Sequence, residues 1–113
     1  MLDPMPIATC FTSADRPDLD PDEIVDEWAR RSGIASGEMT VNVVSAAQGG
    51  EPYAVMAWLY LPSLWSREDV TALGEGLAAA LAATFGIEPA DVQVITSIVQ
   101  PGFVVEAGQT LRW

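Results

Sequence analysis

The sequence predicts an α/β subunit in which two β-α-β units form a four-stranded mixed sheet with two helices on one face. Three observations lead there. Apolar, strand-like runs alternate with two helical segments that carry start and stop signals, in the order strand, helix, strand, taken twice. The two halves share a phrase at the same spacing: Gly33-Ile34, Glu38-Met39 and Val41 in the first, Gly86-Ile87, Asp91-Val92 and Val94 in the second. Half of the 113 residues are apolar, four of them Trp, which is more than the interior of so small a domain hides. The sheet face left bare by two helices is therefore expected to meet another subunit.

Residues 6 to 12 read as the first strand, and Arg16-Pro17-Asp18-Leu19 as a turn. Asp20 stands where an N-cap belongs, Pro21 suits the first helical position, and Glu23 is placed to close a capping box. Ile24, Val25 and Trp28 give that helix its apolar stripe, Arg30 and Arg31 oppose its C-terminal dipole, and Gly33 suits a left-handed exit. Met39 to Ser45 is a Val-rich strand. Gln48-Gly49-Gly50 is a turn, and Tyr53 to Leu61 is an apolar run that reads as a strand covered on both faces. Ser66 caps a second helix with Val70, Leu73, Leu77, Leu81 and Phe85 along one side, and Gly86 ends it. Val92 to Val99 is the fourth strand, Pro101-Gly102 a turn, and Phe103 to Glu106 a short last strand.

The expected organisation is one domain over 1–113: an extension over 1–5, the first β-α-β unit plus the third strand over 6–61, the second helix and fourth strand over 62–99, and a short strand and tail over 100–113. A net charge of −11 repels phosphate backbones and anionic lipid heads, so neither nucleic acid nor a membrane surface is an expected partner. The five basic residues, Arg16, Arg30, Arg31, Arg67 and Arg112, are all arginines. With no Lys and no His, Schiff-base lysines, Ser-His and Cys-His pairs and histidine metal sites are excluded. No metal and no cofactor is expected. The acidic residues from Asp20 to Glu27 read as helix-cap and solvated-face groups. Cys10 is single, cannot form an internal disulfide and reads as a buried small hydrophobe; with no signal-like start, a cytoplasmic location is expected.

Four stretches taken in order carry a resemblance. Met5-Pro6 opens the first strand, with Thr12-Ser13 near its end; Gly33 is followed by Val41-Asn42-Val43-Val44; Gly49-Gly50-Glu51-Pro52 precedes the third strand; Gly86-Ile87-Glu88-Pro89-Ala90-Asp91-Val92 leads into the fourth. In this order the chain resembles the tautomerase superfamily, in its macrophage migration inhibitory factor-like branch. The resemblance implies a homotrimer with active sites at the subunit interfaces, and an N-terminal proline as the base. Pro6 is the matching position. Its nitrogen is an amide while residues 1–5 precede it, so either translation starts at Met5, or processing removes five residues, or the chemistry is lost or reassigned; Pro4 is a second candidate that fits the spacing to Thr12-Ser13 less well. The resemblance further places Ile34 where the family has a pocket lysine, Gln93 and Ile95 at its tyrosine and asparagine, Leu61 at its third-strand isoleucine, and Glu106 at its C-terminal tryptophan. A pocket so lined is less cationic than is usual for the family.

Several residues carry their own readings. Glu106 is a proton shuttle if an apolar interface raises its pKa, or a solvated loop acid. Gln93 is a hydrogen-bonding group of the cleft or a strand-edge amide. Arg67 and Arg112 are the anion binders by elimination, Arg67 being equally a first-turn helix residue. Trp58, Tyr60 and Trp65 read first as core or interface packing, then as ligand-stacking groups.

The function implied is a cofactor-free keto–enol tautomerase moving a proton on a small, relatively apolar carbonyl compound, with Pro6 and Glu106 as catalytic groups and Ile34, Leu61, Gln93, Ile95, Arg67 and Arg112 binding substrate. The alternatives are a reassigned biosynthetic isomerase or cyclase using Glu106, a non-catalytic trimeric binding or scaffold protein, and a ferredoxin-like dimer with the same element order.

Overall fold

The sequence places a cap and a stop around each helix, and both pairs act in the structure. The computed structural model describes residues 5–13 and 18–113. Residues 1–4 of the expected extension, and Arg16 with Pro17 of the expected turn, lie outside the described residues. Strand β1 (Ile7–Thr12) leads to helix α1 (Pro21–Ser32). There the Asp20 carboxylate accepts the Asp22 N–H at 3.0 Å, with Pro21 in the first turn. Glu23 contributes its own N–H, to the Asp20 carbonyl, and its carboxylate makes no return bond among the described residues, so the cap is one-sided rather than a box. Gly33 exits left-handed at φ 74°, donating its N–H to the Ala29 carbonyl at 3.0 Å. A single 3₁₀ turn, Ser36–Glu38, then feeds strand β2 (Thr40–Ser45).

The second unit repeats this. Strand β3 (Val55–Pro62) leads to helix α2 (Arg67–Phe85), capped by the Ser66 hydroxyl accepting the Asp69 N–H and stopped by Gly86 at φ 66°. A 3₁₀ turn, Pro89–Asp91, enters strand β4 (Val92–Val99). The shared phrase is thus one helix-to-strand connection used twice.

β1 pairs in parallel with β2 and β3 in parallel with β4, while β1 and β3 run antiparallel at the centre, giving the order β2-β1-β3-β4. Because side chains alternate across a strand, this register decides what each face holds. Ala8, Cys10 and Thr12 stand opposite Leu59, Ala57 and Val55, all buried, and with Leu61 they form the layer that packs against Ile24 and Trp28 of α1 and Leu73, Leu77, Leu81 and Phe85 of α2. Both helices therefore cover one face. They are tied by the Trp28 indole N–H, which donates to the Leu73 carbonyl at 2.9 Å, and by Gly76, which lies against Ser32 at the end of α1.

The other face is bare in the subunit. Trp58, Tyr60, Ile95 and Val44 are 47, 37, 50 and 40% exposed, and the Phe11 ring meets the Trp58 indole edge-on with centroids 4.9 Å apart. Within one subunit the third strand, read as covered on both faces, is covered on one. β3 alternates buried Val55, Ala57, Leu59 and Leu61 with partly or well exposed Met56, Trp58 and Tyr60, because two helices cover only one side.

A second correction concerns the C-terminus. β5 (Val104–Glu106) is half of a separate antiparallel hairpin with β6 (Gln109–Leu111), a strand the sequence reading lacked. The joining turn is Ala107-Gly108, both at positive φ, 52° and 78°. Hairpin turns of this kind usually announce themselves by Asn-Gly or Asp-Gly, and Ala removes that signal. Phe103 and Val105 stand 78 and 69% exposed beside and on it. No helix of the described residues is long and apolar enough to cross a membrane.

Candidate functional site

Pro6 enters β1 with its ring fully buried, and its carbonyl accepts the Thr40 N–H at 3.0 Å, which fixes the mouth of β1 against the start of β2. Met5, 2% exposed, acylates the Pro6 nitrogen, so in this chain that nitrogen is a tertiary amide with no proton affinity of use. Three other predicted positions gather at this end of the sheet. β1 is antiparallel to β3 with Ile7 opposite Tyr60, so Pro6 lies beside Leu61, which is wholly buried in the layer under the helices. Ile34 stands in the connection that delivers Thr40, half-buried against the core, its N–H on the Ser32 hydroxyl at 3.3 Å. The C-terminal tail also returns here. The Gly102 N–H binds the Leu111 carbonyl at 2.8 Å, and the Trp113 indole N–H binds the Ser63 hydroxyl at 2.9 Å, just past β3.

Arg112, between those two anchors, lays its guanidinium over Gly102, where a Cβ would stand 2.9 Å from Nη1. Arg67 is an exposed first-turn residue of α2. Neither has a carboxylate partner among the described residues. Arg30 and Arg31 are instead committed to Glu27, whose carboxyl is held below the usual range by their hydrogen bonds.

The remaining positions are elsewhere in the subunit. Gln93 and Ile95 lie on the bare face, opposite Met56 and Trp58. Met56 stands beside Phe11, five residues along β1 from Pro6, roughly 16 Å at a strand's rise. Glu106 is exposed at the hairpin turn, paired with Gln109. One subunit thus does not assemble Pro6, Gln93 and Glu106 into a single cleft. Two open surface grooves, one between α1 and α2 beside Glu23, Asp26 and Arg31, the other between α2 and β4 over Gly74 and Thr96, contain none of the predicted site residues. Cys10 is fully buried, and desolvation pushes its thiol up to about 12, which leaves no thiolate at neutral pH.

One polar arrangement on the bare face was not foreseen. Gln93 does not end at solvent: its Nε2 donates to the Tyr53 hydroxyl at 3.2 Å. Gln48 pins the backbone of Tyr53 from both sides, its Nε2 donating to the Tyr53 carbonyl at 3.0 Å and its Oε1 accepting the Tyr53 N–H at 2.9 Å. The apolar run predicts a strand from Tyr53, but the strand begins at Val55, and Tyr53 stands in the connection before it. The available signal was Gln48 in the Gly-rich turn, a long amide within reach of the residues that follow.

The element order and the doubled β-α-β unit define the fold, and it is one this chain shares with solved structures of fused 4-OT and of macrophage migration inhibitory factor. The chain is similar to the structure of Pt0534 inactivated by 2-oxo-3-pentynoate (TM-score 0.74, 16% identity, 93% of this chain and 94% of that one). It is also similar to the Q0 fused 4-OT symmetric trimer (TM-score 0.73, 16% identity, 95% of each chain). A third likeness is to the macrophage migration inhibitory factor of Toxoplasma gondii (TM-score 0.65, 15% identity, 94% of this chain and all of that one). At such identities the likeness is one of fold. No family model and no curated protein matches the sequence.

Proposed function

We propose that this chain is a cofactor-free keto–enol tautomerase, active as a homotrimer, with Pro6 as its base once residues 1–5 are removed. The observation that carries the reading is the position of Pro6, held by Thr40 at the mouth of β1, in a fold shared with 4-OT and macrophage migration inhibitory factor structures. Released from Met5, Pro6 becomes a secondary amine among apolar groups, an environment that disfavours its protonated form and lets it act near neutral pH. Its lone pair takes a proton from the carbon α to a carbonyl; the C–H electrons form the C=C bond and the carbonyl π electrons move to oxygen. The pyrrolidinium then returns the proton to that oxygen, and the reverse sequence converts enol to ketone with no net change in atoms or charge.

Assembly through the bare face supplies what one subunit lacks, bringing Gln93 and Ile95 of one copy toward Pro6 of the next. Leu61 lies buried under the helices and, contrary to the sequence expectation, is not available to a ligand; the apolar side chains Ile34 and Ile95 favour a small, largely apolar carbonyl compound, with Arg112 and Arg67 available to a carboxylate. The test is the mass of the natively expressed protein, followed by an enol-to-keto assay with phenylpyruvate. A chain beginning at Pro6 whose activity Pro6→Ala abolishes supports the reading. A chain that retains Met5 and still turns over rules out the proline base and points to the alternative base, Glu106.

A second reading, a non-catalytic trimeric binding or scaffold subunit, is favoured by the burial of Met5 and the acylated nitrogen behind it. Absence of turnover from a trimeric protein that begins at Pro6 decides for it.

A further inference from the structure

We propose that Tyr53 is the carbonyl-oxygen donor of this protein: its phenol, oriented by Gln93 and pinned by Gln48, hydrogen-bonds the carbonyl or enol oxygen of the bound compound when assembly covers the bare face of the sheet. The inference rests on the assembled site proposed above and adds to it a residue and a role. Two bonds from one side-chain amide fix the Tyr53 main chain, so the only freedom left to the ring is its own two torsions, and the Gln93 amide at 3.2 Å holds the far end. Because the hydroxyl accepts from Nε2 of Gln93, its own proton is left to give, and no acceptor among the described residues takes it. The Gln93 carbonyl oxygen is likewise unspent.

The pair is half-buried already, and its neighbours on that face are Phe11, Met56, Trp58 and Ile95. Covering that face with a second apolar surface would strand both groups, whereas a ligand oxygen completes them. A neutral, preoriented O–H aimed where negative charge gathers on oxygen is the donor that enolisation calls for, and a chain without His or Lys has few other sources of one. The second phenol, Tyr60, is on the same face without a positioning bond among the described residues.

The test uses the natively expressed protein and benzoylformate, an aryl 2-oxo acid with no α-hydrogen, so that binding is read by calorimetry without turnover. Tyr53→Phe is expected to weaken binding about tenfold, the value of one well-placed hydrogen bond. Gln93→Glu is expected to cause a similar loss, since a carboxylate accepts the phenol proton and withdraws it from the ligand. Glu75→Gln, exposed on α2 across the sheet from the pair, is expected to stay within twofold of wild type. The inference is overturned if Tyr53→Phe also binds within twofold of wild type, or if wild type does not bind. Phenylpyruvate turnover in the same preparations separates the two claims. Turnover without Tyr53-dependent binding removes this inference alone, and Tyr53-dependent binding without turnover removes the proline base alone.

Discussion

Two glycines two residues apart in α2 give opposite responses to the same substitution. Each Gly→Ala change in a helix interior gains about 1 kcal/mol of propensity. At Gly74 an added Cβ finds only the Thr96 hydroxyl, at 3.7 Å, an ordinary contact, so Gly74→Ala is expected to stabilise by nearly that full amount. At Gly76 the Cβ would stand 2.9 Å from both the Cβ and the backbone N of Ser32 and 3.0 Å from its Cα. Main-chain atoms at the end of α1 cannot rotate away, so the helices must part, on the same interface that carries the Trp28–Leu73 hydrogen bond. Overpacking of this kind costs about 1–3 kcal/mol, and enough contact is lost with it to outweigh the propensity gain. Gly76→Ala is expected to destabilise by up to about 2 kcal/mol net of the propensity gain, leaving the two variants about 1–3 kcal/mol apart. Urea unfolding measures this, with the m-value checked for constancy and protein concentration held fixed, since the proposed assembly would make apparent stability concentration-dependent. If Gly76→Ala proves as stable as Gly74→Ala to within about 0.5 kcal/mol, the close approach of α1 and α2 described here is wrong.

Trp28→Phe removes a buried hydrogen bond and leaves a gap of roughly 40 Å³, so a loss of about 2–3 kcal/mol is expected in the same unfolding assay. Trp65→Phe should cost distinctly less, because the Trp65 indole N–H is buried with no acceptor among the described residues and its deletion removes an unmet donor. The Cys10 thiol, raised from 9.0 to about 12 by burial, is deprotonated first in the unfolded chain. Its contribution to stability is therefore complete below pH 9 and declines at up to about 1.4 kcal/mol per pH unit as pH rises toward 12, a slope that should be absent from the matched Cys10→Ala titration. Trp58→Glu places a charge at the centre of the bare face, and sedimentation should show the proposed trimer replaced by the single subunit while far-UV circular dichroism keeps the helix signal. A trimer that survives this change would move the interface elsewhere.

Much of the frame was legible because it is written in local chemistry. Asp20, Ser66, Gly33 and Gly86 act through backbone groups within a turn of themselves, so each helix could be bounded from its own residues. The doubled Gly-Ile phrase is legible for the same reason. Pro6 was legible as the residue that opens β1, where its carbonyl takes the Thr40 N–H.

What the sequence alone determined was therefore the order and kind of the main elements, and an excess of apolar residues over what the interior holds. Only the tertiary structure decided which residues share a face. Leu61 falls under the helices and Ile95 on the bare side because strand register, a property of pairs of strands, sends alternate residues to opposite faces. The same applies to Tyr53 and Gln93, forty residues apart, whose hydrogen bond depends on β4 lying beside β3 and could be inferred from neither residue alone. The hairpin at Ala107-Gly108 was decided at that level too, since a left-handed Ala is held by the pairing of Glu106 with Gln109 rather than by its own preference.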